Sequence, residues 1–352
     1  MAWVKLNIET KLKERLNEKF ASNLTEADKY FAFYTVARNK LVDDKIYDDI
    51  KVIQKGLSDH GENHIMEVLN NAFRLLGKEI DDMDPIQLYF ICLLILFHDV
   101  GNLTVDRKKH HEASVIQEIY HYVRNNDSKF DEESALVSQV ASKHSGIASN
   151  GSKDTINELT ILPPHLFDTK IYTKKCAALL RFADELAEGP QRTSLFMNQY
   201  YNFPYEKKSI IYHQYAEITN VAIDGENERV CLTYNFHIKA TNGKISIAEG
   251  KKFSKLVLFT IMRMLKVDAE RKYCKYYCDW LGPFKKTSVT YNFWIDNKFK
   301  AMIKRELVYN VQLSLDDLVL PDENVKAFLA SHKEYSPPKL LSQIKKAFNG
   351  KK

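Results

Sequence analysis

The chain of 352 residues lacks most of the short signatures that assign chemistry at a glance. Its five cysteines, Cys92, Cys176, Cys231, Cys274 and Cys278, form no Cys-x-x-Cys pair, which removes zinc knuckles and dithiol redox motifs. Their number is odd and four stand in apolar or aromatic surroundings, so they read as reduced packing residues of a cytoplasmic protein. There is no Gly-rich phosphate loop and no Gly-x-Ser-x-Gly elbow, and hence no nucleotide cradle or serine nucleophile of the familiar kinds. The longest apolar run, Ile86 to Phe97, is too short for a bilayer and carries Gln87, so it reads as a core helix and no membrane partner is expected. Charge interrupts the N-terminus too early for a secretory leader. Internal repeats and low-complexity tracts are absent. Neither sign of charge dominates: the net charge is +5 and the pI near 8.6. That suits an anionic ligand but is too weak for a surface that coats nucleic acid.

What is present is mostly helical. Residues 1–55 are charged and helical, with Leu6, Leu12 and Leu16 at helix-compatible spacing, and are expected to pack on the neighbouring helical region. From Ser58 to Ser194 the helical pattern is strong. Asp84-Pro85 reads as an N-cap followed by proline at the first helical position. Asp131, Glu132 and Glu133 suit the positive end of another helix. Leu136, Val140 and His144 come next at four-residue spacing, which places His144 on that helix's apolar face. Thr155 to Glu158 has capping-box spacing. Thr173 to Glu188 is apolar nearly all round, yet contains Asp184. After Ser194 the pattern changes. Ser209–Ile223 and Arg229–Ile238 read as strands joined by a hairpin turn at Asp224-Gly225. Phe253–Val267 and Tyr273–Leu281 read as helices, and Ser288–Ile295 as a third strand. The expected fold is therefore mainly α: a helical bundle over 56–195, a smaller α+β segment over 196–330, and a basic, flexible tail over 331–352 opened by Pro337-Pro338.

One segment carries the chemistry. Leu93-Leu-Ile-Leu-Phe-His98-Asp99-Val-Gly101-Asn102 ends an apolar run on an imidazole beside a carboxylate. Such groups are costly to bury unpartnered, and a metal ion takes both together. Around this pair stand Asp59-His60-Gly61-x-x-His64, then His110-His111-Glu112, then Lys143-His144-Ser145-Gly146, then Leu-Arg181-Phe-Ala-Asp184-Glu-Leu.

The ordered set His64, His98-Asp99, Asp184 resembles the HD superfamily of metal-dependent phosphohydrolases over roughly residues 58–194. The resemblance implies an all-helical HD-type bundle whose four core ligands, His64, His98, Asp99 and Asp184, hold a divalent metal. Some members of the family bind two ions through two further histidines, for which His111 and His144 stand in the matching places, with Asp99 bridging. Others bind one ion and use such histidines as acid and base. His111 is preferred to His110 because His-Glu-Ala-Ser fits the family pattern. The donor set suits manganese, iron, zinc, nickel or cobalt. His60 reads as a loop residue or a hydrogen-bond donor to a ligand in preference to a ligand itself. Glu112 reads as an orienting partner for an imidazole or a solvated helix residue. Lys143, Arg181 and Arg192 are candidates for neutralising substrate phosphate, or are structural ion-pair charges. The remaining histidines, His121, His165, His213, His237 and His332, read as packing or surface residues.

The chemistry implied is hydrolysis of a phosphate ester or anhydride through a metal-bound hydroxide, on a nucleotide or nucleotide-derived small molecule. Signatures of the cyclic-di-GMP subgroup are absent. Two alternatives stay open: a single-strand nuclease of the same superfamily, which would need an electropositive groove, and a non-catalytic metal-binding sensor or interaction protein. The coarse layout is also similar to HD proteins of bacterial conflict and stress systems. The α+β segment has three candidate roles: covering the site, shaping the pocket, or forming a homo-oligomer surface. Its aromatic stretch Tyr200-Tyr201-Asn-Phe203-Pro-Tyr205 reads as packing or as a stacking platform for a base.

Overall fold

The computed structural model describes residues 3–53, 59–104, 112–160, 162–194, 207–241, 244–297, 306–314 and 324–349. The chain is mainly α with a smaller α+β part, and it divides into two compact units. Unit 1 comprises Met1–Ala187 with Tyr273–Pro283, and unit 2 comprises Glu188–Lys272 with Phe284–Lys352.

Unit 1 is built from helices α1 (Asn7–Lys19), α2 (Leu24–Asp43), α3 (Ile46–Ile53), α4 (Glu62–Leu76), α5 (Pro85–Phe97), α6 (Ala113–Val123), α7 (Asp131–Ala141) and α8 (Thr173–Glu185). Leu12 and Leu16 of α1 are buried, as their spacing predicts. Gly77 ends α4 at φ +49, a left-handed conformation that favours glycine. The α5 helix is the axis of the unit. Asp84 caps it by accepting the Ile86 N–H at 2.8 Å, Pro85 fills the first turn, and every residue from Pro85 to Phe97 is buried. With the adjoining turn, Pro85–Leu103 reaches the length and hydropathy of a membrane span, but that window lies inside the protein. Glu133 accepts from Tyr89 at 2.6 Å, from Arg124 at 2.6 Å and from Tyr120.

Unit 2 holds α9 (Lys207–Ile218), strands β1 (Thr219–Asp224) and β2 (Arg229–Ala240), α10 (Ile247–Tyr277), β3 (Lys286–Asn297), β4 (Glu306–Ser314), α11 (Val325–Ser331) and α12 (Pro337–Asn349). The end of α10, from Tyr273, belongs to unit 1. The sheet order is β1-β2-β3-β4, with β2 and β3 parallel and the other pairs antiparallel. Val230, Leu232, Tyr234, Phe236 and Ile238 alternate into the core beside Val289, Tyr291, Phe293 and Ile295.

Five local expectations change. The proposed strand Ser209–Ile223 is helical up to Ile218 and becomes a strand only at Thr219. Its β-branched and aromatic residues mislead, because Ile211, Tyr215 and Ile218 are buried at helical spacing and packing outweighs propensity. Phe253–Val267 and Tyr273–Leu281 are not two helices: α10 runs through to Tyr277, with only a 3₁₀ turn beyond it at Asp279–Leu281. The capping box at Thr155 does not form. The Thr155 hydroxyl donates instead to the Lys143 carbonyl at 2.7 Å, and Glu158 accepts from Lys143. The α7 helix stops at Ala141, so His144 is buried just beyond it rather than on its face. The tail is helical over Pro337–Asn349, since proline at the first helical position opens a helix rather than breaking one.

Candidate metal centre

Four stretches of unit 1 bring imidazoles and carboxylates together. His64 lies in the first turn of α4. His98 and Asp99 lie at the end of α5, where the α-helix gives way to a 3₁₀ turn over Val100–Leu103. His144 comes after α7, and Asp184 sits in the last turn of α8. Asp99, at φ −105 and ψ 0, immediately precedes that turn, and its carboxylate faces His60, His64 and His98.

The donor atoms are close. His64 Nε2 lies 3.1 Å from Asp184 Oδ1 and 3.4 Å from Asp99 Oδ2. His98 Nε2 lies 3.4 Å from Asp99 Oδ2 and 3.8 Å from Asp184 Oδ1. Ligands about 2.0–2.2 Å from a shared transition-metal ion stand about 3–3.5 Å from one another, so these separations suit one cation. His64, His98 and Asp184 form one group of donors compact enough to hold a metal ion, and His60, His64 and Asp99 form another. The buried Nε2 atoms of His64 and His98 face these oxygens without an aligned hydrogen bond. Buried polar atoms are rarely left so, and a cation would satisfy both.

Backbone contacts set the tautomers. His98 Nδ1 donates to the Ile95 carbonyl at 2.7 Å, and His144 Nδ1 donates to the Ala141 carbonyl at 2.6 Å. Each ring is left with Nε2 as its lone-pair donor, the arrangement common to metal-bound histidines. His144 Nε2 stands 4.0 Å from Asp99 Oδ1. It therefore faces the other oxygen of the carboxylate whose Oδ2 faces His64 and His98. The inner side is sealed: the His64 and His98 side chains are fully buried and that of Asp99 is 7% exposed, while Asp184 is 27% and His60 20% exposed. The centre opens on the Asp184 and His60 side.

The electrostatics result from this crowding. Burial alone would push the His98 imidazole down, but Asp99 and Asp184 outweigh it and hold it up at about 10. Burial and the neighbouring His98 charge push His144 down to about 4. Asp99 is held well below the carboxylate range against the pull of burial, by His98 first and then by His60 and His64. Asp184 is held down likewise by His64 and His98. Both carboxylates are thus held as anions by the imidazoles that face them.

The other expected residues have different surroundings. His110 and His111 fall outside the described residues, as does the aromatic stretch 200–205. Glu112 is exposed, immediately before α6. Lys143 is paired with Glu158 at 2.7 Å. Arg181 is buried, donates to the Thr155 hydroxyl at 3.1 Å and lies over the Tyr273 ring. Arg192 belongs to unit 2 and stands 3.7 Å from Glu188. Each of these basic groups thus has a structural partner. His60, which reads from the sequence as a hydrogen-bond donor to a ligand, has its Nδ1 3.1 Å from Asp99 Oδ2, and Asn102, to which the sequence assigns no role, donates its amide to Asp99 Oδ1 at 3.0 Å. The signals were legible in Asp-His-Gly-x-x-His and His-Asp-x-Gly-Asn.

A family model described as HD-CE matches residues 54–249, which include the four core donors and His144. The chain belongs to the HD-CE family. The match covers more than half of the chain, from the turn before α4 into the start of α10. No curated protein and no solved structure matches this HD-CE chain.

Proposed function

We propose that this HD-CE protein is a metal-dependent phosphohydrolase or phosphodiesterase acting on a nucleotide or a nucleotide-derived phosphate ester. The observation that carries the reading is the convergence of two orphaned imidazole nitrogens and two anionic carboxylates in one buried group. His64, His98, Asp99 and Asp184 would hold a divalent transition metal. When bound, such an ion polarises phosphoryl oxygens and makes water a nucleophile near neutral pH.

The protein's own residues divide the remaining work. The Ile95 and Ala141 carbonyls fix which nitrogen of His98 and His144 faces inward. Burial of His64 and His98 excludes water from behind the centre. A phosphate ester approaches from the open side, across Asp184 and His60. His144, directed at the second oxygen of Asp99, is the described residue suited to hold a second ion there, with His111 as its expected companion. Lys143 and Arg181 are already engaged with Glu158 and with Thr155. Phosphate charge is therefore neutralised by bound cations rather than by these side chains, which favours two ions over one. Nucleotides are the expected substrate class from the HD resemblance.

The test is a screen of nucleotides, cyclic nucleotides and short oligonucleotides with Mn²⁺, with phosphate and products analysed. Asp99→Ala is the matched control. Turnover of a nucleotide that disappears in this variant supports the proposal, and turnover that survives it removes the mechanism. Stoichiometric metal with no turnover across the screen would favour a sensor. Elemental analysis separates one ion from two.

A further inference from the structure

Asp99 is gripped at both oxygens by residues outside the four core donors. Asn102 Nδ2 donates to Oδ1 at 3.0 Å, and His60 Nδ1 stands 3.1 Å from Oδ2. The two partners come from opposite sides in sequence. Asn102 belongs to the 3₁₀ turn directly after Asp99 itself. His60 belongs to the turn before α4, whose own shape is fixed: Asp59 Oδ1 accepts the Gly61 N–H at 2.7 Å, and Lys51 pairs with Asp59 at 3.3 Å. The His60 ring also meets the His64 ring edge-on, with centroids 5.4 Å apart.

Resting on the metal centre proposed above, we infer that His60 and Asn102 are positioning residues that clamp the Asp99 carboxylate, His60 by donating its Nδ1–H to Oδ2. His60 groups with His64 and Asp99, while His64, His98 and Asp184 form the other compact group. Its 3.1 Å approach to Asp99 Oδ2 is of hydrogen-bond length, and the cobalt spectrum of the His60→Ala variant separates a positioning role from ligation. A carboxylate oxygen has two lone-pair directions. Oδ2, approached by His60, also stands 3.4 Å from Nε2 of both His64 and His98. Oδ1, held by Asn102, stands 4.0 Å from His144 Nε2. By limiting rotation about the Cβ–Cγ bond, the clamp would spare a cation part of the cost of ordering the carboxylate on binding.

The role explains residues that the metal alone does not. Asp59 and Gly61 shape the turn that carries His60. Asn102 comes after His98-Asp99 at the spacing that lets a 3₁₀ turn fold its amide back onto Asp99.

The experiment measures Co²⁺ binding to the full-length protein, by titration and by visible absorption. Partners that orient a ligand change metal affinity by roughly 10–100-fold when removed. His60→Ala is expected to weaken Co²⁺ by that factor, while the saturated variant keeps the band positions and intensities of the parent, because the ligand set is unchanged. His60→Asn places an amide N–H at the position of Nδ1 and is expected to restore most of the affinity; it is also the check that loss in the alanine variant is not misfolding. In a double-mutant cycle, His60→Ala and Asn102→Ala are expected to be non-additive, since both act on one carboxylate. Unchanged affinity in His60→Ala overturns the inference. So does an altered cobalt spectrum with no rescue by asparagine, which would make His60 a ligand. If the parent protein itself binds no Co²⁺, the metal centre fails rather than the clamp.

Discussion

Asp99 and Asp268 are both aspartates 5% exposed to solvent, and they are solved in opposite ways. Asp268, in unit 2, is closed by fixed donors: the Arg271 guanidinium at 2.8 Å, Lys272 at 2.7 Å and the Thr287 hydroxyl at 2.8 Å. Arg271 in turn donates to the Phe284 carbonyl at 3.0 Å. Asp99, in unit 1, is surrounded by imidazoles, and two of the nitrogens nearest the carboxylates have no aligned partner. A guanidinium always carries its charge, whereas an imidazole brings a lone pair or a proton according to conditions. The first arrangement is finished when the chain folds; the second has donors that could still hold a cation. Burial and low pKa alone do not distinguish them, since both carboxylates are held down against desolvation. The partner's chemistry does.

The comparison breaks most decisively at Asp99. Asp99→Ala is expected to lower divalent-metal affinity by at least ~1,000-fold, about 4 kcal/mol, with hydrolysis falling to background; titration calorimetry and phosphate release measure the two. Asp268→Ala is expected to do the reverse. It leaves Arg271 buried without its counter-ion, which costs about 3 kcal/mol of stability, visible as a lower urea midpoint. Its metal content should equal that of the parent. Metal loss in this variant with the fold intact would erase the distinction between the two clusters.

The next effect is one of pH. With His98 held up at about 10, its proton must leave before Nε2 can donate to a metal. Affinity should therefore rise about tenfold per pH unit between 6 and 8, with one proton released per ion bound. Calorimetry in buffers of different ionisation enthalpy counts that proton. In the metal-free protein the same group acts on stability with the opposite sense. Its folded value lies above 6.5, so its contribution is full below 6.5 and is lost as pH rises through about 10. The smallest effect belongs to Lys143. Its pairing with Glu158 is partly exposed, so Lys143→Ala is expected to change stability by under about 1 kcal/mol. The KM of any substrate found should stay unchanged. A tenfold rise in KM would return Lys143 to the role of phosphate anchor.

The legibility of the chain obeys the same division. The helical bundle could be read because its apolar positions recur at 3.6-residue spacing and its caps are local, as at Asp84-Pro85. The core donors could be read because a carboxylate and imidazoles set into apolar helices have few other uses. Misreadings arose where a residue's role is decided by distant parts of the chain. Ile210, Ile211 and Tyr212 favour strands, yet burial of Ile211, Tyr215 and Ile218 at helical spacing folds the segment as helix. Thr155 and Glu158 have the spacing of a capping box, yet both are drawn to Lys143. His60 reads as a donor to a ligand, and the three-dimensional approach of α5 identifies Asp99 as its partner.

His98 and His144 obtain their tautomers from the same source. Each stands one to three residues beyond the end of a helix and hands its Nδ1 proton to a carbonyl three residues back, where helical carbonyls lack their usual partners. Any amino acid supplies that carbonyl, so proton placement rests on the main chain at positions 95 and 141, while their buried side chains serve the core. What cannot drift is the coil itself: a proline that unwinds either final turn would rotate an imidazole and exchange its acceptor for its donor. The centre's protonation pattern is inherited from main-chain geometry, which makes it portable to any bundle with two suitably aimed helix ends.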